Sequence, residues 1–409
     1  MSNKKLIVMK FGGATLATPE LMRRVAERIK TTKDNNHRVV VVLSAPGDTT
    51  DDLVAKAKAI TNNPEPRELD MLLAIGEQQS IALMGITLND LDCPAISFTG
   101  PQVGIVTDNL HNKARILKMD SDKIKKELEK DKVVIVAGFQ GETVEEEITT
   151  LGRGGSDLTA VVLAAELEAD MCEFYKDVDG VYTADPRIVP EAAMLSQISY
   201  DEMLEMASLG AQVLYNRSVE FAKKNNIVLQ VRSSVKLKPG TLITKEVEHM
   251  EGVVVSGVTY TKKEAKLTIL WVPDKPGIAA KIFSRLAKED LNIDVIVQDV
   301  SEEGFTNISF TISQSDLNRA KQVVAQLVEE VSAKGFEADE HVGKVSVVGV
   351  GMRSHSGIAA AMFEAMAEKE INIQMISTSE IKISCIVAED KVEEAVRVLH
   401  EKFKLSQLT

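Results

Sequence analysis

Cysteine is scarce in this chain: three in 409 residues, Cys93, Cys172 and Cys385, far apart, odd in number and without CxxC spacing. That pattern argues against a disulfide framework or a structural zinc motif, so all three are expected as small core residues. Positive charge is in deficit, with 48 basic against 61 acidic side chains and a formal net charge of −13 at pH 7. The average field repels polyanions, which makes nucleic acid and anionic membrane surfaces poor partners but leaves room for a local basic pocket around a small phosphate. Long apolar runs are missing too. Nothing approaches the roughly 18 uninterrupted apolar residues of a bilayer span, and the N-terminus passes from Lys4 and Lys5 into a short apolar run without a cleavage-type segment. The expected location is the cytoplasm.

What remains is the make-up of a folded protein: 44% hydrophobic, 27% charged and 4% aromatic residues. At roughly 100 to 200 residues per domain, the length predicts two to four domains. Residues 1–245 read as alternating strands and helices. Short apolar runs at 6–9, 39–43, 95–98, 133–137, 171–175 and 227–231 have strand length, and helical patterns begin at Thr18, near Asp51, over 69–84 and over 158–167. Apolar strands spaced by helices predict an α/β fold, a mostly parallel sheet sandwiched between helices.

Beyond Leu242 the pattern changes. Gly277, Ile278, Ala279, Ala280, Phe283, Leu291, Asn292 and Ile293 recur 80 residues later as Gly357, Ile358, Ala359, Ala360, Phe363, Ile371, Asn372 and Ile373. Each copy sets a strand before a polar loop, then a helix starting at the glycine, then two more strands. The expected division is 1–245, then two α+β modules at 246–335 and 336–409, with a linker at 244–250 and a strand near 252–260 assignable to the second module.

Three loops carry candidate chemistry. Lys10, Phe11, Gly12 and Gly13 follow the first strand, where glycines let the backbone approach an anion and a lysine adds a point charge; the turn has neither the Walker pattern nor GxGxxG. Gly152, Arg153, Gly154, Gly155, Ser156 and Asp157 precede a helix and combine amides with a guanidinium fork. A third loop, 177–187, holds three acids, an arginine and a tyrosine after a buried strand. Loops following parallel strands share one sheet edge, where open α/β sheets bind ligands. Together they predict a nucleotide or phosphate site. In the repeat, Asp274 to Gly277 and Ser354 to Gly357 are turns at helix starts, suited to the charged ends of a free amino acid.

KFGG at Lys10, VVVVLSAPGDTTDDL, IGEQQS at Glu77, TTLGRGGSD ending at Asp157, DVDGVYTADPRIV and VRSS, with DKPG and STSEI in the repeat, resemble the aspartate kinases over essentially the whole chain. The resemblance implies an amino-acid-kinase domain followed by paired ferredoxin-like ACT modules, the first usually inserted into the second. It implies ATP-dependent phosphorylation of the L-aspartate side-chain carboxylate to 4-phospho-L-aspartate, the first step towards lysine, threonine and methionine. Lys10 and Asp157 would be catalytic. Arg153 would hold the α-carboxylate and Glu77 the ammonium, with Ser44, Thr50, Gly154, Gly155 and Ser156 completing the aspartate site. Lys10, Phe11, Gly12, Gly13, Lys176, Asp177, Tyr182, Arg187 and Gln212 would border ATP, whose phosphates would carry Mg²⁺ without a protein metal-ligand set. Asp274, Gly277, Ile278, Ala279, Asn292, Ile293, Asp294 and Gln298 match effector-contacting positions for lysine, threonine or both, in ACT modules that pair in a homo-oligomer, a dimer or larger.

The pattern departs from the family in places. Ala14 follows KFGG where a hydroxyl residue is usual, Lys176 precedes Asp177 where Thr or Ser is common, and 212–216 reads QVLYN in place of KVLHP; Pro46 and Ser356 are also less usual. Two other readings compete: a kinase of glutamate, acetylglutamate or a nucleoside monophosphate, and a catalytically inactive amino-acid sensor. Glu77, Arg153 and the double repeat speak against the first, and the retention of Lys10, Arg153 and Asp157 against the second.

Overall fold

The computed structural model describes residues 4–208, 213–245, 254–299, 303–353 and 355–408. The chain divides into two compact units. The first takes Met1–Val181, Met194–Ala207 and Gln212–Glu248, and the second takes Tyr182–Ala193, Ser208–Ala211 and His249–Thr409.

In the first unit the opening apolar run forms β1 (Leu6–Phe11), buried along its whole length. Helix α1 (Pro19–Asp34) starts as its sequence requires: the Thr18 hydroxyl accepts the Leu21 amide at 3.3 Å, and proline occupies the first turn. Then come β2 (Arg38–Leu43), α2 (Thr49–Ile60), α3 (Pro66–Leu73), α4 (Ile75–Asp90) and β3 (Ala95–Phe98). Two short strands, β4 (Val106–Thr107) and β5 (Ile116–Lys118), lead to α5 (Asp122–Glu129) and β6 (Val133–Ala137). The hairpin β7 (Gln140–Glu142) and β8 (Ile148–Thr150) precedes α6 (Gly155–Glu166) and β9 (Met171–Lys176). The unit closes with β10 (Gln197–Ser199), α7 (Tyr200–Ser208), α8 (Asn216–Asn225), β11 (Leu229–Ser233) and β12 (Thr241–Thr244).

The main sheet runs β10-β12-β11-β9-β1-β2-β6-β3, parallel throughout except for the antiparallel β11–β12 pair. Strand alternation then sorts the side chains. Met9, Phe11, Val41, Leu43 and Ile135 join Val25 and Ile29 of α1 and Met84 and Leu88 of α4 in one core. Lys10 falls on the other face, against α6. A second sheet, β5-β4-β7-β8, is built from strands of two or three residues. Such strands are too short and polar to register as apolar alternation.

The helix expected over 69–84 is broken at Ala74 into α3 and α4. Its two acids are drawn to different loops: Asp70 is fully buried against residues 111–112 and Thr150, and Glu77 against Ala45. By length and composition the stretch Pro66–Asp90 is apolar enough to cross a bilayer. Leu73, Ile81, Met84 and Leu88 are instead buried inside the unit, while Met71, Ile75, Leu83 and Ile86 stay exposed.

The second unit holds one six-stranded antiparallel sheet, β14-β15-β13-β16-β18-β17. Its elements are β13 (Gly257–Pro273), α9 (Ile278–Lys288), β14 (Ile293–Gln298), β15 (Phe305–Ser313), α10 (Leu317–Glu330), β16 (Gly335–Val348), α11 (Ile358–Ala367), β17 (Met375–Thr378), β18 (Lys382–Ala388) and α12 (Val392–Lys402). The 80-residue repeat is a structural one: Gly277 and Gly357 both cap helices with φ near +94° and +93°. Strand β13 serves both copies. Its residues 257–261 pair with 344–348, while 264–273 pair with β15, so the first module sits within the sequence of the second. One core gathers α9 and α10, the other α11 and α12. Most of the expected linker, 246–250, lies outside the described residues. The three cysteines are buried and unbridged.

Candidate active site

The C-terminal ends of β1, β2 and β9 lie side by side in the sheet, and the chain leaves them at the order reversal between β9-β1 and β1-β2. Lys10, Ser44 and Lys176 therefore arrive at one edge. Helix α6 brings its N-terminus there, with Gly154 as cap and Asp157 in the first turn. An acid at that helix position is favoured by the helix dipole.

Asp157 is the hub. Lys10 Nζ lies 2.5 Å from its Oδ1 and Lys176 Nζ 2.9 Å from its Oδ2, with the Lys10 and Asp157 side chains only 6% and 2% exposed. Burial alone would raise the carboxyl's pKa, but the two ammoniums outweigh it and hold Asp157 below the usual carboxylate range. Lys10 is pulled down by burial and by Lys176, with Asp157 and Glu77 opposing. Two ammoniums on one carboxylate leave a surplus positive charge, which calls for an anion.

The glycines shape the floor. A Cβ on Gly13 would come within 2.5 Å of the Ala45 carbonyl oxygen, so this glycine is demanded by close packing of two loops, which the Gly47 amide joins by donating to the Gly13 carbonyl at 2.9 Å. At Gly12 a Cβ would meet only Lys10 Nζ, at 3.9 Å. The missing side chain there leaves space beside the ammonium rather than serving the protein's own packing. The Phe11 ring turns the other way and stacks on Tyr175 at 4.5 Å.

Glu77 is 3% exposed, and its Oε1 accepts the Ala45 amide at 3.0 Å. Its other oxygen is buried without a partner among the described residues. Burial pushes its pKa up to about 7, against the Ala45 and Glu77 amides and Lys10. A buried carboxylate with one orphaned oxygen is unfavourable in isolation and is relieved by a cationic or donor group. Ser44 is half-buried after β2 and Thr50 half-buried in the first turn of α2. Ser80 donates to the Ser44 carbonyl at 2.7 Å.

Arg153 stands exposed on the loop before α6, donating from Nε to the Tyr215 hydroxyl at 2.6 Å. Ser156 is buried, and Gly155 opens α6. Asp177 is exposed in the first unit, whereas Tyr182 and Arg187 belong to the second, where Arg187 forks onto Asp185 at 2.7 to 3.2 Å. Gln212 lies outside the described residues.

Two contributors escaped the sequence reading. Asp70 accepts from Thr150 Oγ1 at 2.5 Å, from the Asn112 amide, and pairs with His111 Nδ1 at 2.8 Å. It thereby anchors the strand that feeds Gly152 and Arg153. A signal existed: an acid seven residues before Glu77 in an apolar helical run must be satisfied by something. Tyr215 stood out in the sequence only as part of the departure at 212–216, with no chemistry attached to it.

The expected effector residues are all in the second unit. Asp274 donates its amide to the Gly304 carbonyl at 2.8 Å, and Gln298 ends β14, which with β17 terminates the sheet order. Asp294 is ion-paired with buried Lys344, which also meets Glu264 at 3.3 Å. A Cβ on Gly277 would meet nothing within 4 Å.

Residues 5–233 match the amino acid kinase family, and residues 272–327 and 345–403 match the ACT domain. An aspartate kinase of Pseudomonas putida is 51% identical over 401 residues, covering 98% of each chain. Escherichia coli aspartokinase III solved with aspartate and ADP in the R-state is 26% identical, with a TM-score of 0.80 over 97% of this chain and 99% of that one. The same enzyme with lysine and aspartate in the T-state gives a TM-score of 0.76 over the same shares.

Proposed function

The chain belongs to the aspartate kinases of the amino acid kinase family, and we propose that the Lys10–Asp157–Lys176 edge of its first unit is where the phosphoryl group moves. The enzyme transfers the terminal phosphoryl of ATP to the side-chain carboxylate of L-aspartate, giving 4-phospho-L-aspartate. The observation that carries the site reading is the doubly paired Asp157, whose two ammoniums, buried Lys10 and half-buried Lys176, exceed its charge by one.

An ionised carboxylate is already a nucleophile, so the reaction needs positioning and charge neutralisation rather than a protein-bound intermediate. Lys10 faces the open space at Gly12, where a transferring phosphoryl would lie, and meets negative charge as it shifts to the leaving oxygen. Asp157 keeps both lysines in place. The α6 N-terminus directs amides at the same charge. Arg153 would grip the α-carboxylate of aspartate, and the orphaned oxygen of Glu77 its ammonium; Ser44 and Thr50 would border the acceptor end, with Gly154, Gly155 and Ser156 lining the loop.

No cluster of three or more His, Cys, Asp or Glu suited to a metal occurs among the described residues. Both Asp157 oxygens are also taken by lysines. Mg²⁺ would be held through the ATP phosphates, where it would neutralise part of their charge. Asp177, exposed where the chain leaves β9, would border the nucleotide.

The ACT unit supports feedback inhibition by an end-product amino acid, lysine, threonine or both, at Asp274, Gly277, Ile278, Ala279, Asn292, Ile293, Asp294 and Gln298. The terminal strands β14 and β17 carry exposed Ile296 and Ile376, which suits pairing with another copy in a homo-oligomer. The enzyme would act in the cytoplasm. A coupled ADP-release assay over aspartate, glutamate, acetylglutamate and nucleoside monophosphates tests the function. Turnover confined to L-aspartate is the expected result, and turnover with another acceptor instead would overturn it.

A further inference from the structure

The aspartate loop touches a hydroxyl that the mechanism above leaves without a role. Tyr215 precedes α8 with an extended backbone, φ −85° and ψ 138°, and a half-buried side chain. Its hydroxyl accepts the Nε–H of Arg153 at 2.6 Å. Its ring lies on Gly154, where a Cβ would come within 2.2 Å of the ring's Cγ and where the backbone holds φ +73°. One polar and one steric contact thus tie Tyr215 to consecutive residues of the loop. Arg153 pairs with no carboxylate among the described residues, and its terminal nitrogens have no hydrogen-bond partner among them.

A guanidinium offers parallel N–H donors on two edges, Nη1/Nη2 and Nε/Nη2. With Nε–H committed to Tyr215, only the terminal edge remains for a two-point grip. An exposed arginine free of such a tether samples many rotamers, and fixing it on binding costs affinity. We propose that Tyr215 is a positioning residue. It holds Arg153 so that the Nη1/Nη2 fork alone meets the substrate's α-carboxylate, which makes the loop selective for a free α-carboxylate over a blocked one. This rests on the assignment of Arg153 to that carboxylate.

Tyr215→Phe keeps the ring against Gly154 and removes only the acceptor oxygen. The expected result is a KM for L-aspartate raised roughly three- to tenfold, with kcat and the KM for ATP within about twofold. The α-methyl ester of L-aspartate cannot use the fork fully, so its KM or inhibition constant stays the same and the acid-over-ester preference narrows by the same factor. Arg153→Ala is run beside it. If Arg153→Ala narrows the preference and Tyr215→Phe does not, Tyr215 has no positioning role and the proposal is overturned while the assignment of Arg153 stands. Equal weakening of acid and ester by Tyr215→Phe marks a merely structural residue and overturns it too. If Arg153→Ala leaves the preference intact, the assignment itself fails and takes the proposal with it.

Discussion

Lys10 and Asp157 meet at 2.5 Å on facing elements, one from the end of the central strand and the other from the first turn of α6, and both are almost fully buried. Neither charge is tolerable there alone. Removing the carboxylate by Asp157→Asn leaves Lys10 and Lys176 side by side without their counter-charge, which costs about 3 to 5 kcal/mol of stability. Lys10→Ala leaves Asp157 paired to Lys176 and removes the cation proposed to act on the moving phosphoryl. Its kcat should fall about 100-fold or more while the KM for aspartate stays within about threefold. Steady-state kinetics and thermal unfolding of the two variants check both statements; a Lys10→Ala effect carried mainly by KM would remove the lysine from the transition state.

Glu77 supplies a pH dependence. Its folded pKa of about 7 lies above the ordinary glutamate value of 4.5, so between those values the folded state binds the proton more tightly than the unfolded chain does. The sign follows. Stability drawn from this group is present below the unfolded pKa and lost as pH rises through about 7, so Glu77→Gln should be the more stable protein above neutrality, by roughly 3 kcal/mol at most. Function runs the other way, because only the ionised group attracts an ammonium. The kcat/KM for aspartate should rise with pH up to about 7 and then level. Glu77→Gln should lose both that rise and most of the aspartate affinity. A wild-type profile flat from pH 5.5 to 8.5 would contradict the role.

Much of this arrangement was legible beforehand. β3 and β6 coincide with apolar runs at 95–98 and 133–137, and Lys10, Arg153 and Asp157 announced themselves through glycines beside charge. The small sheet was not legible because two- and three-residue strands have no periodicity to detect. The loop at 177–187 reads as continuous, yet the chain passes between units at Val181 and Tyr182. No composition change marks that boundary. Thr183 carries the reason: its carbonyl accepts the Val258 amide at 2.7 Å and its hydroxyl meets buried His400 at 3.0 Å, contacts 75 and 217 residues away. Long-range pairing of this kind is invisible in a local pattern.

Asp70 predicts an effect on aspartate without touching it. Its carboxylate satisfies Thr150, Asn112 and His111 in a fully buried position. Asp70→Ala strands those groups and should cost about 3 kcal/mol. The residual folded enzyme should show a raised KM for aspartate and a KM for ATP changed by less than about twofold, because the loop that slackens carries Arg153 rather than Gly12. Equal loss of affinity for both substrates would mean that the network supports the whole unit.

Lys344 makes the last case, in the second unit. It is 4% exposed and holds Asp294 and Glu264 across β14, β13 and β16. Burial raises the Glu264 pKa, with Lys344 opposing and Asp294 adding to it, so the lysine is what makes two neighbouring acids acceptable. Lys344→Met keeps the length and removes the charge. One acid must then take up a proton or move, at a cost of about 3 kcal/mol that is largest at high pH and shrinks as the acids protonate. Asp294 is also a proposed effector contact, so its release from Lys344 should alter the concentration of lysine or threonine needed for half-inhibition, while turnover without effector stays within about twofold. Melting curves at pH 5 and pH 8 together with inhibition titrations measure both; a destabilisation independent of pH would mean that packing, rather than charge, is what Lys344 provides.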